Sequence, residues 1–494
     1  MGPNYHRPTA PTPATYKEAE GWKPATPIDA LDRGAWWEVF NDPTLNDLEH
    51  QAAQANQTLA QAVANYEQAR QLARADRATL FPTVSASGSA QRAKAGSGRS
   101  FLSPPSASSS TSSGGSSGSG TGSTGSSLAI SPSSGGPTNS FSASLGASWV
   151  LDFWGRARRL TESDVATAQA SAADLANARL SIQATVAQTY FQVRIADERV
   201  RLRQNAVDAY TRTLAIAQNK YRVGIVARSD VASAQAQLDA ARAQAIDATI
   251  QRAQLEHALA VLVGKAPGEF TLAAQPSLNV VMPAVPLQVP SELLERRPDV
   301  ASAERSLAAA NARVGVQIAG YFPQISLSAD GGYSGNELSR LFVTPNRFWS
   351  LGANLGDTLF DFGRRRAELL QARAAYEGDV AAYRNTVLRA FQQVEDNLVS
   401  VRLLEAEGQV QDSAVNEAAD AARIAMNEYE AGTVDFTTVA TAQVNEINNR
   451  QTALTVLQNR LIAAVGLIEA LGGGWRAAEL PNSHTVMARN PKGS

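Results

Sequence analysis

The sequence predicts a fold in which long antiparallel coiled-coil helices are combined with a small β-sheet of the membrane type, and in which one unit occurs twice. Three observations lead to this prediction: an internal repeat, two long proline-free stretches with heptad spacing of apolar residues, and four short segments in which apolar and small polar residues alternate. The 494 residues have a net charge of -2 and only 18% are charged, so we expect no nucleic-acid partner.

The repeat is recognised from pairs of motifs that occur in the same order in both halves. Leu80-Phe81-Pro82 corresponds to Tyr321-Phe322-Pro323, Asp152-Phe153 to Asp361-Phe362, Tyr221 and Gly224 to Tyr429 and Gly432, and Gly264 to Gly472. We therefore divide the chain into an N-terminal extended segment 1–44, a first repeat 45–264, a linker 265–290, a second repeat 291–472 and a C-terminal tail 473–494.

The first repeat is longer because its β-hairpin, predicted at about 82–152, contains an insert at 95–140. Residues 108–127 of the insert are all Ser, Thr or Gly, a composition that cannot repay its ordering entropy. We predict a solvent-exposed loop. A Gly-x-Gly-x-x-Gly pattern at 120–125 has no strand before it and no helix after it, so we assign no dinucleotide site there.

The proline-free stretches predict a long helical hairpin in each repeat, at 155–264 and 363–472. Their apolar residues recur every three or four positions, for example at Val380, Tyr383, Val387, Phe391, Val394, Leu398 and Val401. The long first helices are expected to end at Gly224 and Gly432, because glycine favours the backbone conformation that follows a helix.

Polar residues after these glycines predict the starts of the returning helices. Ser229 with Asp230 in the first repeat, and Asp435 in the second, stand at the expected N-cap positions. A shorter helix is predicted before each Phe-Pro pair, over about Leu45–Leu80 and Ser291–Gly320. No uninterrupted apolar run of about 18 residues occurs, so we expect no transmembrane helix.

Between each Phe-Pro pair and each Asp-Phe pair the sequence changes to period two, which predicts four strands, the second hairpin lying at about 323–361. The alternating segments are Val84–Ala90, Phe141–Leu151, Ile325–Ala329 and Trp349–Leu355. One face of each is apolar and the other is small and hydroxylic, which is typical of strands between lipid and a wet lumen. Two surface hairpins of a soluble domain are the alternative.

Four strands cannot close a sheet in a membrane, where no edge can face hydrocarbon. The smallest spanning barrels have about eight strands, so several chains must combine theirs, giving eight in a dimer or twelve in a trimer. The helices would combine as well, into a helical tube continuous with the barrel.

These motifs resemble those of the TolC-like outer-membrane channel proteins, specifically the lipoprotein (NodT-type) branch that serves tripartite RND-type efflux pumps. The resemblance covers nearly the whole chain. Besides the repeated motifs it rests on Gly2-Pro3-Asn4-Tyr5, Arg7-Pro8, Trp37 with Phe40, Asp42 and Leu45, and Arg296-Arg297-Pro298-Asp299.

The resemblance implies a homotrimer with a twelve-stranded β-barrel in outer-membrane lipid and a long periplasmic α-barrel. Such a trimer is a passive exit duct for drugs or metals, and it works with a periplasmic adaptor (membrane fusion) protein and an inner-membrane pump. In this branch a lipidated Cys precedes the Gly-Pro-x-Tyr element, where this sequence has Met1. We expect the native form to be lipid-anchored through a Cys at this position, which the start methionine replaces in this sequence. The alternative is that Met1 is native, in which case no lipid anchor is expected.

Two other functions remain open from the sequence: the outer-membrane duct of a protein secretion system, and a coiled-coil structural or adhesive surface protein that displays the Ser/Gly-rich insert. Nothing predicts an enzyme. The chain has no cysteine and its four histidines are scattered, so we expect no catalytic residue, no metal site and no cofactor.

The tips of the helical hairpins are the candidate functional residues. The first tip resembles the family's adaptor-docking surface, which assigns docking to Val223, Gly224, Ile225 and Ser229, with Gly432 of the second tip. The second tip resembles the periplasmic gate, which assigns gating to Thr433, Asp435 and Phe436. In a trimer three Asp435 carboxylates would form a negative ring, while the alternative is that Asp435 only caps a helix.

Aromatic and basic residues near the strand ends are candidates for the membrane interface. Trp149 and Trp349, with Phe348, are expected in an aromatic belt, and core packing is the alternative. Arg156 and Arg364 open arginine clusters that are expected at the level of the lipid headgroups, unless they only keep a helix start soluble.

Overall fold

The computed structural model describes residues 1–10, 13, 15–18, 35–94, 137–275 and 295–488, which form two compact units. A helical unit is built from the described parts of Met1–Arg77, Trp154–Tyr321 and Asp361–Ser494, and a sheet unit from those of Ala78–Phe153 and Phe322–Phe360. Each repeat contributes to both units. Most of the predicted insert, most of the linker and the Gly-x-Gly-x-x-Gly pattern lie outside the described residues.

The helical unit contains two helical hairpins of nearly equal dimensions, one from each repeat. Helix α3 (Arg156–Arg222) has 67 residues and α6 (Arg364–Ala431) has 68, while the returning helices α4 (Arg228–Leu262) and α7 (Phe436–Ala470) have 35 each. The other α-helices that lie wholly within the described residues are α1 (Pro43–Ala55), α2 (Gln57–Ala78), α5 (Pro298–Ala319) and the short α8 (Ser483–Met487). The equal lengths confirm the two-fold repeat.

The single helix predicted over Leu45–Leu80 is wrong, because the chain breaks at Asn56 into α1 and α2. Asn56 Nδ2 donates to the Leu262 carbonyl at 2.8 Å, and its Oδ1 accepts from the Leu59 backbone N–H at 3.0 Å. The amide therefore ends α1, caps α2 and ties both to the end of α4. In the second repeat the corresponding helix begins at Pro298, which suits the first helical position.

The predicted cap of α4 is also wrong. This helix begins at Arg228 after Ala227, whose side chain makes no capping hydrogen bond, and Ser229 and Asp230 lie in its first turn. There the Asp230 carboxylate interacts favourably with the positive end of the helix dipole, but it does not cap the helix. The other predicted cap, Asp435, is confirmed.

The main hydrophobic core of the helical unit is formed by α1, α3, α5, α6, α7 and the end of α4 around a tryptophan-rich 3₁₀ turn, Trp36–Phe40. The predicted heptad series supplies much of it: Tyr383, Val387, Phe391, Val394 and Leu398 from α6, and Leu461, Ile468 and Leu471 from the end of the chain's last hairpin are all buried. By length and composition α7 could cross a membrane, but nearly half of its apolar window is buried inside the unit, as in a core helix.

The N-terminal extended segment runs along α5 and α6. The Tyr5 hydroxyl donates to Glu304 at 2.6 Å, and Arg7 Nε donates to the Tyr383 hydroxyl at 3.1 Å. Gly2 lies so close to α5 that a Cβ on it would meet Gly315 Cα at 2.5 Å. The segment therefore depends on glycine where its backbone touches the helix.

The sheet unit is a four-stranded antiparallel sheet in the order β1 (Thr83–Ala93), β2 (Thr138–Leu151), β3 (Gln324–Gly335) and β4 (Arg347–Gly356). On one face the serines pair across strands, with Oγ–Oγ distances of 2.8 Å for Ser87–Ser144 and Ser89–Ser142. The other face has Val84, Leu145, Leu351 and Leu355, all exposed in the single chain. The predicted apolar and hydroxylic faces are confirmed.

Two glycines that end helices with nearly the same backbone torsion provide a test of the packing between α1 and α4. Gly264 (φ +72°) has Ala55 O only 2.3 Å from the position of an added Cβ, whereas Gly224 (φ +75°) has nothing within 4 Å. We expect Gly224→Ala to lower the free energy of unfolding by about 1 to 2 kcal/mol, because alanine is strained in the left-handed conformation. Gly264→Ala should cost at least about 1 kcal/mol more, since a backbone oxygen must move. Urea unfolding followed by circular dichroism in detergent would measure both, and equal losses would contradict the close packing.

Candidate functional site

The first tip, which links α3 to α4, presents a small apolar surface. Gly224 turns the chain with a positive φ, and its N–H donates to the Tyr221 carbonyl at 2.9 Å. The side chains of Val223 and Ile225 on either side are 69% and 66% exposed. Two exposed aliphatic side chains around a glycine, with Ser229 exposed in the next turn, leave room for the backbone of another helix to approach.

The second tip is held by hydrogen bonds within its own turn. Gly432, with φ +82°, ends α6, and the N–H and the hydroxyl of Thr433 both donate to the Glu428 carbonyl, at 2.9 and 3.0 Å. The Asp435 carboxylate then accepts from the Thr438 N–H at 3.0 Å and from the hydroxyls of Thr437 and Thr438 at 2.8 Å. The tip therefore has a fixed shape.

These donors keep Asp435 ionised. Hydrogen bonds from Thr438 and then Thr437 hold the pKa of the exposed Asp435 carboxyl below its usual value. The pKa is lowered because the ionised carboxylate accepts these hydrogen bonds and is stabilised by them. Asp435 is thus a helix cap that also presents a negative charge at the surface of the tip.

Phe436, which is predicted to take part in the gate, is buried at the second tip. The Phe436 ring is only 4% exposed and lies edge-on to Tyr429, with ring centroids 6.2 Å apart. Both belong to a second buried cluster, the tip cluster, which consists of Ala206, Tyr210, Leu214, Ala217, Ala234, Leu238, Ala241, Ala425, Tyr429, Phe436, Val439 and Ile447. Phe436 therefore packs the two hairpins together and does not line a surface of the described chain.

Lys220, near the end of α3, connects the first hairpin to the second and was not found from the sequence. Its ammonium donates to the Tyr429 carbonyl at the end of α6 and lies 4.3 Å from the centroid of the Tyr429 ring. The carbonyl and the ring face both favour a cation. In the sequence Lys220 is one lysine on an amphipathic helix, and its partner is 209 residues away.

The membrane-interface candidates lie in different settings. Trp349 is 70% exposed on the apolar face of the sheet, whereas Trp149 is partly covered and its indole N–H donates to the Leu80 carbonyl at 3.0 Å. Phe348, unlike the two tryptophans, is in register with Gly332 and lies on the hydroxylic face. In the first turns of the long helices Arg156 is exposed and Arg364 lies 3.9 Å from Glu368.

Buried carboxyl groups in the helical unit are a further feature that the sequence did not indicate. Glu49 on α1 is fully buried, neither of its oxygens has a hydrogen-bond partner among the described residues, and burial raises its pKa to about 9. Asp164 on α3 hydrogen-bonds to Asp76 on α2, and burial followed by this bond raises its pKa to about 7. Two carboxyls that bond to each other must share a proton.

Comparison with known proteins covers both repeats. A family model described as outer membrane efflux protein matches residues 48–265 and 289–473. The toluene efflux pump outer membrane protein TtgC of Pseudomonas putida is 29% identical over 99% of this chain and 96% of its own length. The pyoverdine export outer membrane protein OpmQ of Pseudomonas aeruginosa is 31% identical over 91% of this chain and 89% of its own length. The solved structure of the outer-membrane channel OprN is 28% identical, with a TM-score of 0.81 over 96% of this chain and 99% of that chain.

The capping role of Asp435 can be tested by amide hydrogen exchange in the first turn of α7. We expect Asp435→Ala to speed exchange of the Thr438 amide severalfold, and Asp435→Ser, which keeps a capping oxygen, to restore most of the protection. Because the pKa of Asp435 is lowered in the folded chain, its cap contributes to the free energy of unfolding at pH values above 3.8, the ordinary pKa of Asp. This contribution is lost as the pH falls below that value. Unchanged exchange in Asp435→Ala would contradict the cap.

Proposed function

The chain belongs to the outer membrane efflux protein family, and on that premise we propose that three copies of this outer-membrane efflux component form one passive conduit. The observation that carries the proposal is the sheet: each chain supplies four strands whose outer edges, on β1 and β4, have no partner within the described residues. In hydrocarbon every backbone N–H and C=O needs a partner. If β4 of one copy pairs with β1 of the next, three copies close a twelve-stranded barrel without a free edge.

The two faces of the sheet support this arrangement. On one face large apolar side chains are exposed, with Val84 at 74% and Leu351 at 75%, and lipid would cover them. Phe141 and Leu151 mark the ends of the apolar face on β2; ten residue steps give about 34 Å along the strand, or about 26 Å of height at a tilt of about 40°. That height matches the apolar band of outer-membrane barrels, about 25 Å. The serine face would then line a wet lumen.

At the ends of this band we propose that Trp149, two residues before Leu151, acts as an aromatic anchor and that Arg156 and Arg364 lie at the level of the lipid headgroups. An indole has an apolar body and a polar N–H, which suits the boundary between lipid and water. An exposed guanidinium can meet lipid phosphates there. Trp349 is in register with Gly331, which pairs with Leu145, so we propose that it faces lipid nearer the middle of the band.

The helical hairpins would combine below the membrane into a periplasmic tube whose entrance is made by the tips. We propose that the exposed Val223, Gly224, Ile225 and Ser229, together with Gly432, receive the helical hairpin of a periplasmic adaptor. An inner-membrane pump then supplies the energy, and the conduit needs no catalytic group of its own. The names of the relatives refer to toluene and pyoverdine, so we propose a small organic molecule as cargo.

We further propose that the entrance is closed by the second tip. Thr433 and Asp435 present polar groups there, and the Lys220–Tyr429 contact joins the second hairpin to the first in the same chain. Breaking this contact would let the two hairpins separate. Phe436 serves the gate only by packing in the tip cluster.

The conduit is tested by the mass of the detergent-solubilised protein and by conductance in planar bilayers. We expect a trimer that conducts ions. Leu351→Arg, on the apolar face, should prevent assembly in the membrane, since arginine near mid-bilayer costs about 2 to 4 kcal/mol on a lipid-facing strand. Ser350→Arg, one residue away on the serine face, is the matched control and should assemble. A monomer that is soluble without detergent, or equal assembly of both variants, would refute the proposal.

The role of the Lys220–Tyr429 contact in closing the entrance is tested by single-channel recording. Lys220→Ala should raise the open probability severalfold, because the cation joining the hairpins is lost. Lys220→Arg keeps a cation that can donate to the same carbonyl and should behave like the wild type. If Lys220→Ala forms trimers with unchanged opening, the contact is structural and the gate depends on other residues.

A further inference from the structure

We propose that Asp330 determines the charge preference of the conduit at mid-height, where the carboxylates of three copies form a ring in the lumen of the barrel. The inference rests on the proposed trimeric barrel and adds to it a residue that selects ions and charged solutes. It depends on three features of the sheet unit: the face on which Asp330 lies, the space made for it, and its height.

The register assigns Asp330 to the serine face. It is opposite Gly146 on β2 and Ser350 on β4. The other residues of this face, read from the same pairing, are small or neutral: Ser85, Ser87, Ser89, Gln91, Ser140, Ser142, Ser144, Ser148, Gln324, Ser326, Ser328, Ser334 and Asn354 are examples. Across the four strands as described, Asp330 is the one charged side chain on this face.

The two other charged residues of the strands lie on the opposite face. Arg92 is in register with Asn139, and Arg347 with Tyr333, and both are close to the strand ends far from the Phe-Pro motifs. No basic side chain of the described strands therefore shares the face of Asp330. Its charge is not neutralised there by a cation from the same sheet.

The sheet makes room for the Asp330 carboxylate. A Cβ on Gly146 would lie 2.7 Å from Asp330 Oδ1, so the carboxylate extends over this glycine, and the same position is 3.5 Å from Ser85 Oγ. Glycine inside a strand weakens it and usually marks a close approach. Here the missing side chain gives the carboxylate its place among hydroxyl groups.

The height of Asp330 excludes a lipid-facing position. Its partner Gly146 is the midpoint between Phe141 and Leu151, the ends of the apolar face on β2. A carboxylate at the middle of a bilayer is costly unless it faces water or a partner. The serine face must then be the lumen, and a closed trimer brings three carboxylates to one level.

Such a ring attracts cations and repels anions. In a narrow passage with low-dielectric walls, charges of one sign raise the local concentration of the opposite ion. The surrounding hydroxyl groups hydrate a passing ion but carry no charge of their own. The ring therefore acts where the wall is otherwise neutral.

The experiment uses the absence of cysteine from the chain, which makes any introduced cysteine the single thiol. Ser328→Cys, two residues from Asp330 on the same face, is reconstituted in planar bilayers and treated with a cationic and an anionic methanethiosulfonate of similar size. The ratio of the two modification rates reports the local potential. We expect Asp330→Asn, in this background, to lower the cationic-to-anionic rate ratio by about threefold or more.

Two controls separate the possible failures. Ala329→Cys, on the apolar face, should not react with either aqueous reagent, and Asn354→Ser should leave the rate ratio at Ser328→Cys unchanged. If Ser328→Cys reacts in a conducting trimer but Asp330→Asn leaves the ratio unchanged, the inference about Asp330 is overturned and the conduit stands. If the wild-type protein forms no conducting trimer, the proposed function itself fails.

Discussion

The free edges of the sheet are the constraint on which the rest of this architecture depends. A strand edge in hydrocarbon leaves a row of backbone N–H and C=O groups without partners, and no side chain can compensate for them. The described part of one chain has four strands and two such edges. In the proposed trimer, pairing those edges between chains closes the barrel at twelve strands and brings six helical hairpins into one assembly.

Much of this could be predicted from the sequence because the governing signals are periodic. Alternation in the strands assigns residues to faces, and the register places the apolar Val84, Leu145, Leu351 and Leu355 on one face and the paired serines on the other. The glycines that end the long helices mark their lengths, since φ is positive at both Gly224 and Gly432. Where a single side chain decides, as Asn56 does by capping α2 and bonding to α4, periodicity carries no information.

In the candidate site, too, local features could be predicted from the sequence and contacts between distant helices could not. Asp435 could be predicted as a cap because capping is local in sequence, and its three donors lie within three residues. The burial of Phe436 and the contact of Lys220 with Tyr429 depend on which helices pack side by side, which a single sequence does not state. The buried acids Glu49 and Asp164 were missed for a related reason, because acidic residues on helices are by default solvated.

The paired serines on the sheet have a consequence for what can travel along it. In the Ser87–Ser144 and Ser89–Ser142 pairs either hydroxyl can be the donor, so each pair can reverse its direction by moving hydrogen atoms alone. A wall of this kind has no fixed polarity: it offers an acceptor to one solute and a donor to the next without rearranging its backbone. Such a lining would suit an exporter that must wet, and then release, molecules of unlike chemistry.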